Sequence, residues 1–276
     1  MPTAIRRAVP HVVLLAYVAI IMIPFAIVLF SSFKESNAEV AAHPLGFPKE
    51  LFFDNYIKAW KQAKINVYFF NSLYLSLTAA VSGVLLAAAT SFALTRMKFV
   101  RTSKAIYQFV LIGMLIPGNV LFIAQYILMM DLHILNTHWA LYLPYTAGAL
   151  PFSILLISAF MRSVPSELEE AAIVDGLGAP GLFARVILPI TMPALVTVFI
   201  VNYLGNWNEY LLSNFFISSD KLKTLPTGMV GFRDAYQTNY PLICTGIVFS
   251  VTPVLVLYAF LQKKIIDGLT AGSVKG

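Results

Sequence analysis

Charged residues are scarce in this sequence. They make up 12% of its 276 residues, whereas 59% are hydrophobic, and the mean hydropathy is +0.78. Soluble domains carry about 25% charged residues, so this composition excludes an ordinary soluble protein. The net charge of +6 suits contact with anionic lipid headgroups and gives no reason to expect a nucleic-acid partner.

Residues that commonly carry chemistry are also scarce. Cys244 is the only cysteine, so the chain forms no internal disulfide. The absence of any Gly-Lys dipeptide excludes a P-loop, and neither an H-E-x-x-H motif nor a nucleophile elbow occurs. The four histidines are scattered among loops and the ends of apolar runs. The sequence therefore predicts no catalytic residue, no metal site and no cofactor in this chain.

The apolar residues are gathered into blocks. About 20 apolar residues can cross the hydrocarbon core as a helix, and unbroken helices are the economical way to cross. Pro117, Pro144 and Pro151 are expected to be tolerable kinks. We predict an all-α membrane protein with six transmembrane helices, at about Val12–Ser32, Tyr68–Leu94, Ala105–Met130, Ala140–Phe160, Met192–Phe216 and Leu242–Leu261.

Basic residues lie in three segments that six spans would place on one side. Arg6 and Arg7 precede the first span, the 95–104 segment holds four basic residues and no acid, and three lysines follow the last span. The positive-inside rule therefore places both termini in the cytoplasm. The 33–67 loop has five lysines, but it is longer and also holds four acids, so it weighs less.

With this orientation, the 161–190 loop is cytoplasmic and is predicted to hold two short helices. Ser166 and Glu169 form an S-x-x-E capping box at the start of the first helix. Gly176 and Gly178 are expected to end that helix with positive φ. Pro180 suits the first turn of a second helix, which would end near Leu188.

An apolar face is predicted on this helical pair. It suggests a knob that binds a soluble partner, and the alternative is a solvated loop with helical content. The face consists of Ala171, Ala172, Val174, Leu177, Phe183 and Val186.

The same loop resembles the signature loop of permease subunits in binding-protein-dependent ABC importers. The residues that match the family pattern are Glu170, Ala171, Ala172, Gly176, Leu188 and Pro189, while Val186 stands where the family usually has isoleucine. The stretches "NSLYLSLTAA", "LGNWNEY", "TLPTGM" and "GLTAGSVKG" resemble the carbohydrate-uptake branch, and specifically its shorter six-span subunit in maltose-type systems. The resemblance extends from about Tyr68 to the end of the chain.

The resemblance implies a type I ABC importer permease fold in a bacterial or archaeal cell (inner) membrane. The signature loop would be a coupling helix that binds a separate ATPase, and ATP and magnesium would be held by that ATPase. The implied partners are a second homologous permease, two copies of the ATPase, an extracytoplasmic sugar-binding protein and membrane lipid. Sugar, most simply an oligosaccharide, would be the cargo of an alternating-access cycle.

The resemblance also divides the chain into three parts. Residues 1–67 would form an anchor span with an extracytoplasmic loop, and 68–264 would form the permease core. Residues 265–276 would form a cytoplasmic tail that reaches between the two ATPase subunits. Its candidate contact residues are Thr270, Gly272 and Ser273.

A polar stripe in the fifth predicted span is a candidate substrate path. Asn202, Asn206 and Glu209 would share one helical face, with Trp207 beside it. Amides, a carboxylate and an aromatic ring are suitable groups for sugar recognition. The alternative is that these residues join neighbouring helices.

Two other classes of function remain as alternatives. An ion-coupled secondary transporter would act without an ATPase, but it usually needs ionisable residues in mid-membrane. Glu209 is the one such residue in the predicted spans. A membrane-embedded enzyme would need a polar catalytic set, and the sequence shows none.

Overall fold

The computed structural model describes residues 3–97, 100–236 and 239–271, and all regular structure in these ranges is helical. This confirms the predicted all-α fold. Short 3₁₀ or π turns occur at Lys58–Gln62, Gly118–Leu121, Phe183–Ile187 and Asp220–Leu222. The α-helices are α1 (Thr3–Ser32), α2 (Asn37–Ala42), α3 (Asp54–Ile57), α4 (Ile65–Arg96), α5 (Val100–Met114), α6 (Phe122–Asp131), α7 (Trp139–Ser163), α8 (Glu167–Val174), α9 (Ala179–Leu182), α10 (Leu188–Ile190), α11 (Met192–Trp207), α12 (Leu211–Phe216), α13 (Leu225–Ala235) and α14 (Tyr240–Ala271).

Four helices within the described ranges are long and apolar enough to cross a membrane unbroken. They are formed by Pro10–Ser32, Ile65–Arg96, Trp139–Ser163 and Tyr240–Gln262. Two further helix pairs pass the same test but are sharply bent, and the total reaches six if each bent pair counts as one span. The bend of the first pair lies inside the third predicted span, so the expectation of a plain helix is wrong there. The bend of the second pair lies at Thr191, just before the fifth predicted span.

The third predicted span breaks at Pro117. Helix α5 ends at Met114, and the helical segment that begins at Gly118 is turned by 88° from it. Pro117 has an extended backbone, with φ −60° and ψ 130°. Proline offers no N–H to continue a helix and disfavours the α conformation in the residue before it. Pro144 and Pro151, in contrast, lie inside the continuous helix α7.

The fifth predicted span ends earlier than expected. It was predicted to reach Phe216, but α11 stops at Trp207 and a separate short helix, α12, follows. The carboxylate of Glu209 accepts hydrogen bonds from the N–H groups of Leu212 at 2.6 Å and Ser213 at 3.2 Å. These are donors that the start of a helix leaves free, so Glu209 stabilises a new helix start in place of the predicted continuation.

The final helix is longer than the predicted last span. That span was predicted to end at Leu261, whereas the backbone of α14 stays helical through Ala271. The predicted tail, 265–276, therefore begins inside a helix. Residues 272–276 lie outside the described ranges.

The chain divides into two compact units, and the first contains residues 1–69 and 227–253. Polar side chains organise its long loop. The buried amide of Asn55 donates to the carbonyls of Ser32 at 3.0 Å and Lys34 at 2.8 Å. The buried ammonium of Lys34 donates to the carbonyl of His43 at 2.6 Å. These bonds connect the segment after α1 to the loop that follows it.

The second unit contains residues 70–226 and 254–276. In it, α7 packs against α5 and α11. The main core joins α4, α7 and α11 to the loop between α7 and α11, and small residues on α4 allow the helices to approach closely. The buried members of this core are Val84, Ala87, Ala88, Phe92, Ile154, Ile157, Met161, Val164, Ala172, Leu182, Ile187, Leu195 and Val198.

Two glycines of α13 provide a matched test of packing in the first unit. A Cβ at Gly228 would overlap the buried ring of Tyr68, whereas a Cβ at Gly231 would meet no atom within 4 Å. Overpacking costs about 1–3 kcal/mol, so Gly228→Ala should lower the apparent Tm of the purified protein. Gly231→Ala should leave it unchanged or raise it slightly, because alanine favours the helix. Equal shifts for the two variants would contradict this packing.

Candidate functional site

Helix α8 ends at a glycine with the predicted backbone conformation. Gly176 has φ +84°, which a side chain disfavours. Its N–H donates to the carbonyl of Ile173 at 2.9 Å, and the N–H of Leu177 donates to the carbonyl of Ala172 at 3.0 Å. This pair of bonds is a Schellman motif, which satisfies carbonyls at the end of a helix. The positive φ predicted for Gly176 is confirmed.

Gly178 differs from its prediction. It has φ −75° and ψ 172°, an extended backbone that any residue adopts. The chain reverses at Gly176, so Gly178 does not need a positive φ. Gly178 instead caps the start of α9, and Pro180 lies in the first turn of that helix as predicted. The helical segment continues through a π turn and α10 to Ile190.

The predicted capping box is not formed. Ser166 has a helical backbone, and its side chain makes no capping bond. The carboxylate of Glu169 forms an ion pair with the guanidinium of Arg96. A positive charge attracts a carboxylate more strongly than a neutral backbone donor does, so the Glu169 carboxylate pairs with Arg96 and does not cap the N–H group of Ser166.

The predicted apolar face divides between two sides of the loop. Four of its residues join the main core of the second unit, namely Ala172, Leu177, Phe183 and Val186. Ala171 and Val174 are exposed, Val174 to 87%. The helical period separates them from Ala172, so the expectation of one shared face is wrong for these two residues.

The outward side of α8 is therefore acidic and apolar at once. Glu167, Glu170, Ala171 and Val174 follow the spacing i, i+3, i+4, i+7, which places them on one face, and all four are exposed. We call these four residues the outer face of α8. It offers two carboxylates beside a small apolar surface.

The last two residues of the signature pattern lie at the start of α10. Leu188 is half-buried and packs on the main core, whereas Pro189 is exposed. Leu188 therefore helps to hold the second helical segment against the spans.

Sequence reasoning missed the interaction of Arg96, which was counted only among the basic residues of 95–104. Its guanidinium also donates to the carbonyls of Met161 and Val164. One signal was available, because an arginine at the end of a span can interact with the carbonyls of a neighbouring helix end.

Two residues of the candidate substrate path make internal contacts. Asn202 is buried, and its Nδ2 donates to the hydroxyl of Ser153 on α7 at 3.0 Å. The indole of Trp207 is also buried and stacks on Tyr203, with 5.9 Å between ring centroids. These contacts favour the structural alternative for Asn202 and Trp207.

Glu209 and Asn206 are in different situations. Glu209 lies beyond the end of α11, so the predicted shared helical face is wrong for it. In addition to starting α12, its carboxylate accepts a hydrogen bond from the Tyr145 hydroxyl at 2.7 Å.

Asn206 is half-buried on α11, and its Nδ2 has no hydrogen-bond partner within the described structure. The Nδ2 atom itself is buried, so Asn206 holds an unpaired donor inside the helix packing.

The candidate tail residues are only partly described. The backbone of Thr270 belongs to α14, while Gly272 and Ser273 lie outside the described residues. Their role stays a prediction. Where the structure is described, no group of three or more histidine, cysteine, aspartate or glutamate side chains could hold a metal.

A family model described as the binding-protein-dependent transport system inner membrane component matches residues 79–267. That range is more than half of the chain. The chain belongs to this family. It is a multi-pass membrane component of a transport system rather than an enzyme, and a system of this family depends on a binding protein.

Two relatives align with this family member over nearly its whole length. The probable ABC transporter permease protein YurM of Bacillus subtilis is 34% identical, covering 96% of this chain and 87% of YurM. The diacetylchitobiose uptake system permease protein NgcG of Streptomyces coelicolor is 33% identical, covering 97% of this chain and 89% of NgcG.

A solved structure supports the fold of this family member. A chain from a bacterial ABC transporter involved in the import of the acidic polysaccharide alginate matches with a TM-score of 0.82. The match covers 94% of this chain and 96% of that chain, at 19% sequence identity. The predicted type I ABC importer permease fold is thereby confirmed.

Gly176 and Gly178 provide a matched test of the turn after α8. A Cβ at either residue would meet no atom within 4 Å, but only Gly176 has positive φ. Gly176→Ala should therefore destabilise the turn by about 1 kcal/mol through backbone conformation alone, whereas Gly178→Ala should be tolerated. Limited proteolysis of the 161–190 loop would measure this, with faster cleavage expected only for Gly176→Ala. Equal cleavage rates would contradict the assignment.

Proposed function

We propose that this chain is one of two permease subunits of an ATP-driven oligosaccharide importer and forms half of its translocation path. Family membership supports the transport role. The relative NgcG, named for diacetylchitobiose uptake, supports an oligosaccharide as the cargo. The proposed partners are a second homologous permease, two copies of a cytoplasmic ATPase and an extracytoplasmic sugar-binding protein. ATP and magnesium would bind to the ATPase, because this chain has no P-loop.

The observation that carries the coupling role is the geometry of α8. Its inward side is held by Ala172 in the core and by the Glu169–Arg96 ion pair. Its outer face is exposed and carries Glu167 and Glu170 in the first turn. A helix anchored on one side and open on the other is suited to fit a socket on a soluble partner. The two carboxylates would meet basic groups of the ATPase there.

The charge distribution supports an orientation with both termini in the cytoplasm. Basic residues at the N-terminus, in 95–104 and after the last span would all lie on that side. The same arrangement places the 161–190 loop in the cytoplasm, where the ATPase would be. The membrane would be the cell (inner) membrane of a bacterium or archaeon.

The tail is proposed as a second ATPase contact. This part of the proposal depends on the resemblance of "GLTAGSVKG" to the terminal segment of maltose-type subunits. Thr270, Gly272 and Ser273 would contact both ATPase subunits, and their small size would suit a tight interface.

The ion-coupled carrier is the alternative that the structure makes less attractive. Both carboxylate oxygens of Glu209 accept hydrogen bonds, from Tyr145, Leu212 and Ser213. A carboxylate with this structural role is poorly suited to exchange a transported ion. Reconstitution of the purified chain alone into proteoliposomes would distinguish the two hypotheses. A carrier would transport sugar without an ATPase, whereas a permease subunit would not.

Charge reversal on the outer face of α8 tests the coupling role. Glu170→Arg would place like charges against the proposed basic socket, and we expect about a tenfold loss of co-purifying ATPase, since a charged hydrogen bond is worth about 1.5–3 kcal/mol. Glu50→Arg is the matched control, because Glu50 is also exposed but lies in the predicted extracytoplasmic loop. Undiminished ATPase binding by Glu170→Arg would refute the coupling role.

Substitution of Asn206 tests the substrate path. Asn206→Ala removes this buried, unpaired donor. If the donor meets the sugar when the path opens, the KM for oligosaccharide uptake should rise by roughly 2- to 10-fold, as expected for one hydrogen bond of about 0.5–1.5 kcal/mol. Asn208→Ala is the matched control, because the Nδ2 of Asn208 already donates to the carbonyl of Leu204 at 2.9 Å. Uptake would be measured with labelled diacetylchitobiose and a panel of other oligosaccharides. Equal effects of the two changes, or failure of Asn206→Ala to assemble, would contradict a role in the path.

A further inference from the structure

Arg96 joins the ends of three helices. It is the last residue of α4, and its side chain is 11% exposed. One nitrogen, Nη2, donates to the carbonyl of Met161 and, at 2.9 Å, to the carbonyl of Val164 at the end of α7. A second nitrogen, Nη1, pairs with the carboxylate of Glu169 on α8, while Nε is buried without a hydrogen-bond partner among the described residues. A single guanidinium therefore links α4, α7 and α8.

The pocket around this guanidinium is complementary to it in charge. The last carbonyls of a helix have no partner within the helix and carry partial negative charge. At the end of α7, Val164 has an extended backbone, and the chain turns towards α8. The carboxylate of Glu169, itself only 14% exposed, adds a negative charge beside Nη1. The planar fork of an arginine can serve acceptors in several directions, whereas a lysine ammonium offers a compact point charge.

Glu169 and Glu170 are adjacent in sequence but face opposite ways. Glu169 points inward with Ala172, three residues later, which is buried in the main core. Glu170 points outward and is exposed. The inward side of α8 is thus held by one polar and one apolar contact, while the outward side is open. Movement of α8 independent of α4 and α7 would have to break the ion pair and open the core.

We propose that Arg96 is a positioning residue that clamps α8 to the cytoplasmic ends of α4 and α7, so that these three elements move as one body during transport. The clamp itself depends only on the contacts of Arg96. The clamp has a consequence that rests on the proposed function: when the ATPase displaces α8, helices α4 and α7 move with it by the same amount.

The clamp can be tested by distance measurements in the assembled transporter. Spin labels would be placed at Ser163 on α7 and at Ile173 on α8, in a Cys244→Ala background. Both positions are exposed, and Ile173 lies off the outer face. We expect one narrow distance distribution in the parent protein, equally narrow without nucleotide and with ATP and vanadate. Arg96→Gln and Glu169→Gln should each broaden it.

A double-mutant comparison tests whether loss of the ion pair causes the broadened distance distribution. The double substitution Arg96→Gln with Glu169→Gln should broaden the distribution no more than Arg96→Gln alone. The effects of substitutions at two residues in contact do not add, because either one removes the same interaction. Arg162→Gln is the matched control, since Arg162 carries the same charge next to Met161 but lies over the Tyr107 ring at 4.6 Å. It should leave the distribution narrow. Arg96→Lys, which keeps the charge, should restore only part of the narrow distribution.

Transmission is tested separately, by ATP hydrolysis of the reconstituted transporter with and without its binding protein. We expect Arg96→Gln to lower the stimulation by binding protein about tenfold, as for loss of charge-assisted bonds, while the amount of bound ATPase stays unchanged. A distribution that stays narrow in both Arg96→Gln and Glu169→Gln overturns the clamp. Normal stimulation together with a broadened distribution overturns the transmission. If Arg96→Gln fails to reach the membrane, Arg96→Lys and Glu169→Gln carry the same test.

These outcomes are distinguishable from failure of the proposed function. A cysteine at Val174, on the outer face of α8, should crosslink to the ATPase in the otherwise unchanged transporter, and one at the exposed Lys104 should crosslink less. If Val174 gives no crosslink, the coupling role of α8 fails. The distance distributions would still decide whether Arg96 clamps α8 to α7.

Discussion

Satisfaction of backbone hydrogen bonds in a medium without water is the constraint on which this structure depends. Hydrocarbon offers no partner to an exposed N–H or C=O group, so spanning segments must bond within themselves. Continuous helices meet this need along α4, α7 and α14. Where the helices end, side chains take over the unpaired groups. Glu209 accepts from N–H groups at the start of α12, and Arg96 donates to the carbonyl of Val164 at the end of α7.

This constraint explains how much of the fold could be predicted. The length and apolar character of a span are local properties, so four predicted spans correspond to long apolar helices and the third corresponds to a bent helix pair. The fifth overlaps only the second half of another bent pair, Met192–Trp207. The breaks at Pro117 and Trp207 were missed for different reasons. Proline is tolerated inside α7, whereas Pro117 lies in the break between α5 and the helical segment that begins at Gly118. The sequence around these prolines does not distinguish the two outcomes. The stop at Trp207 depends on Glu209, whose partners include Tyr145 on another helix.

The candidate site shows the same division between local and distant causes. The positive φ of Gly176 follows from turn chemistry within a few residues, and it was predicted. The capping box was also a local inference, but it failed because Glu169 has a stronger partner far away in the sequence, Arg96. The small residue Ala172 is buried while Ala171 is exposed, since only contacts with α4 and α7 decide which side of α8 turns inward. Residues close in sequence determine the turn at Gly176, whereas contacts with distant residues determine which side of α8 faces the core.

Orientation matters for the proposed coupling role, because a helix that transmits force needs two different sides. An α8 that was merely solvated would absorb a partner's displacement through its own flexible connections. Here the inward side is fixed by a packed core and a buried ion pair, and removal of one member of such a pair leaves an uncompensated charge. That penalty opposes independent movement of α8. The exposed carboxylates on the outer face can therefore bind a partner without losing any contact that holds the helix in place.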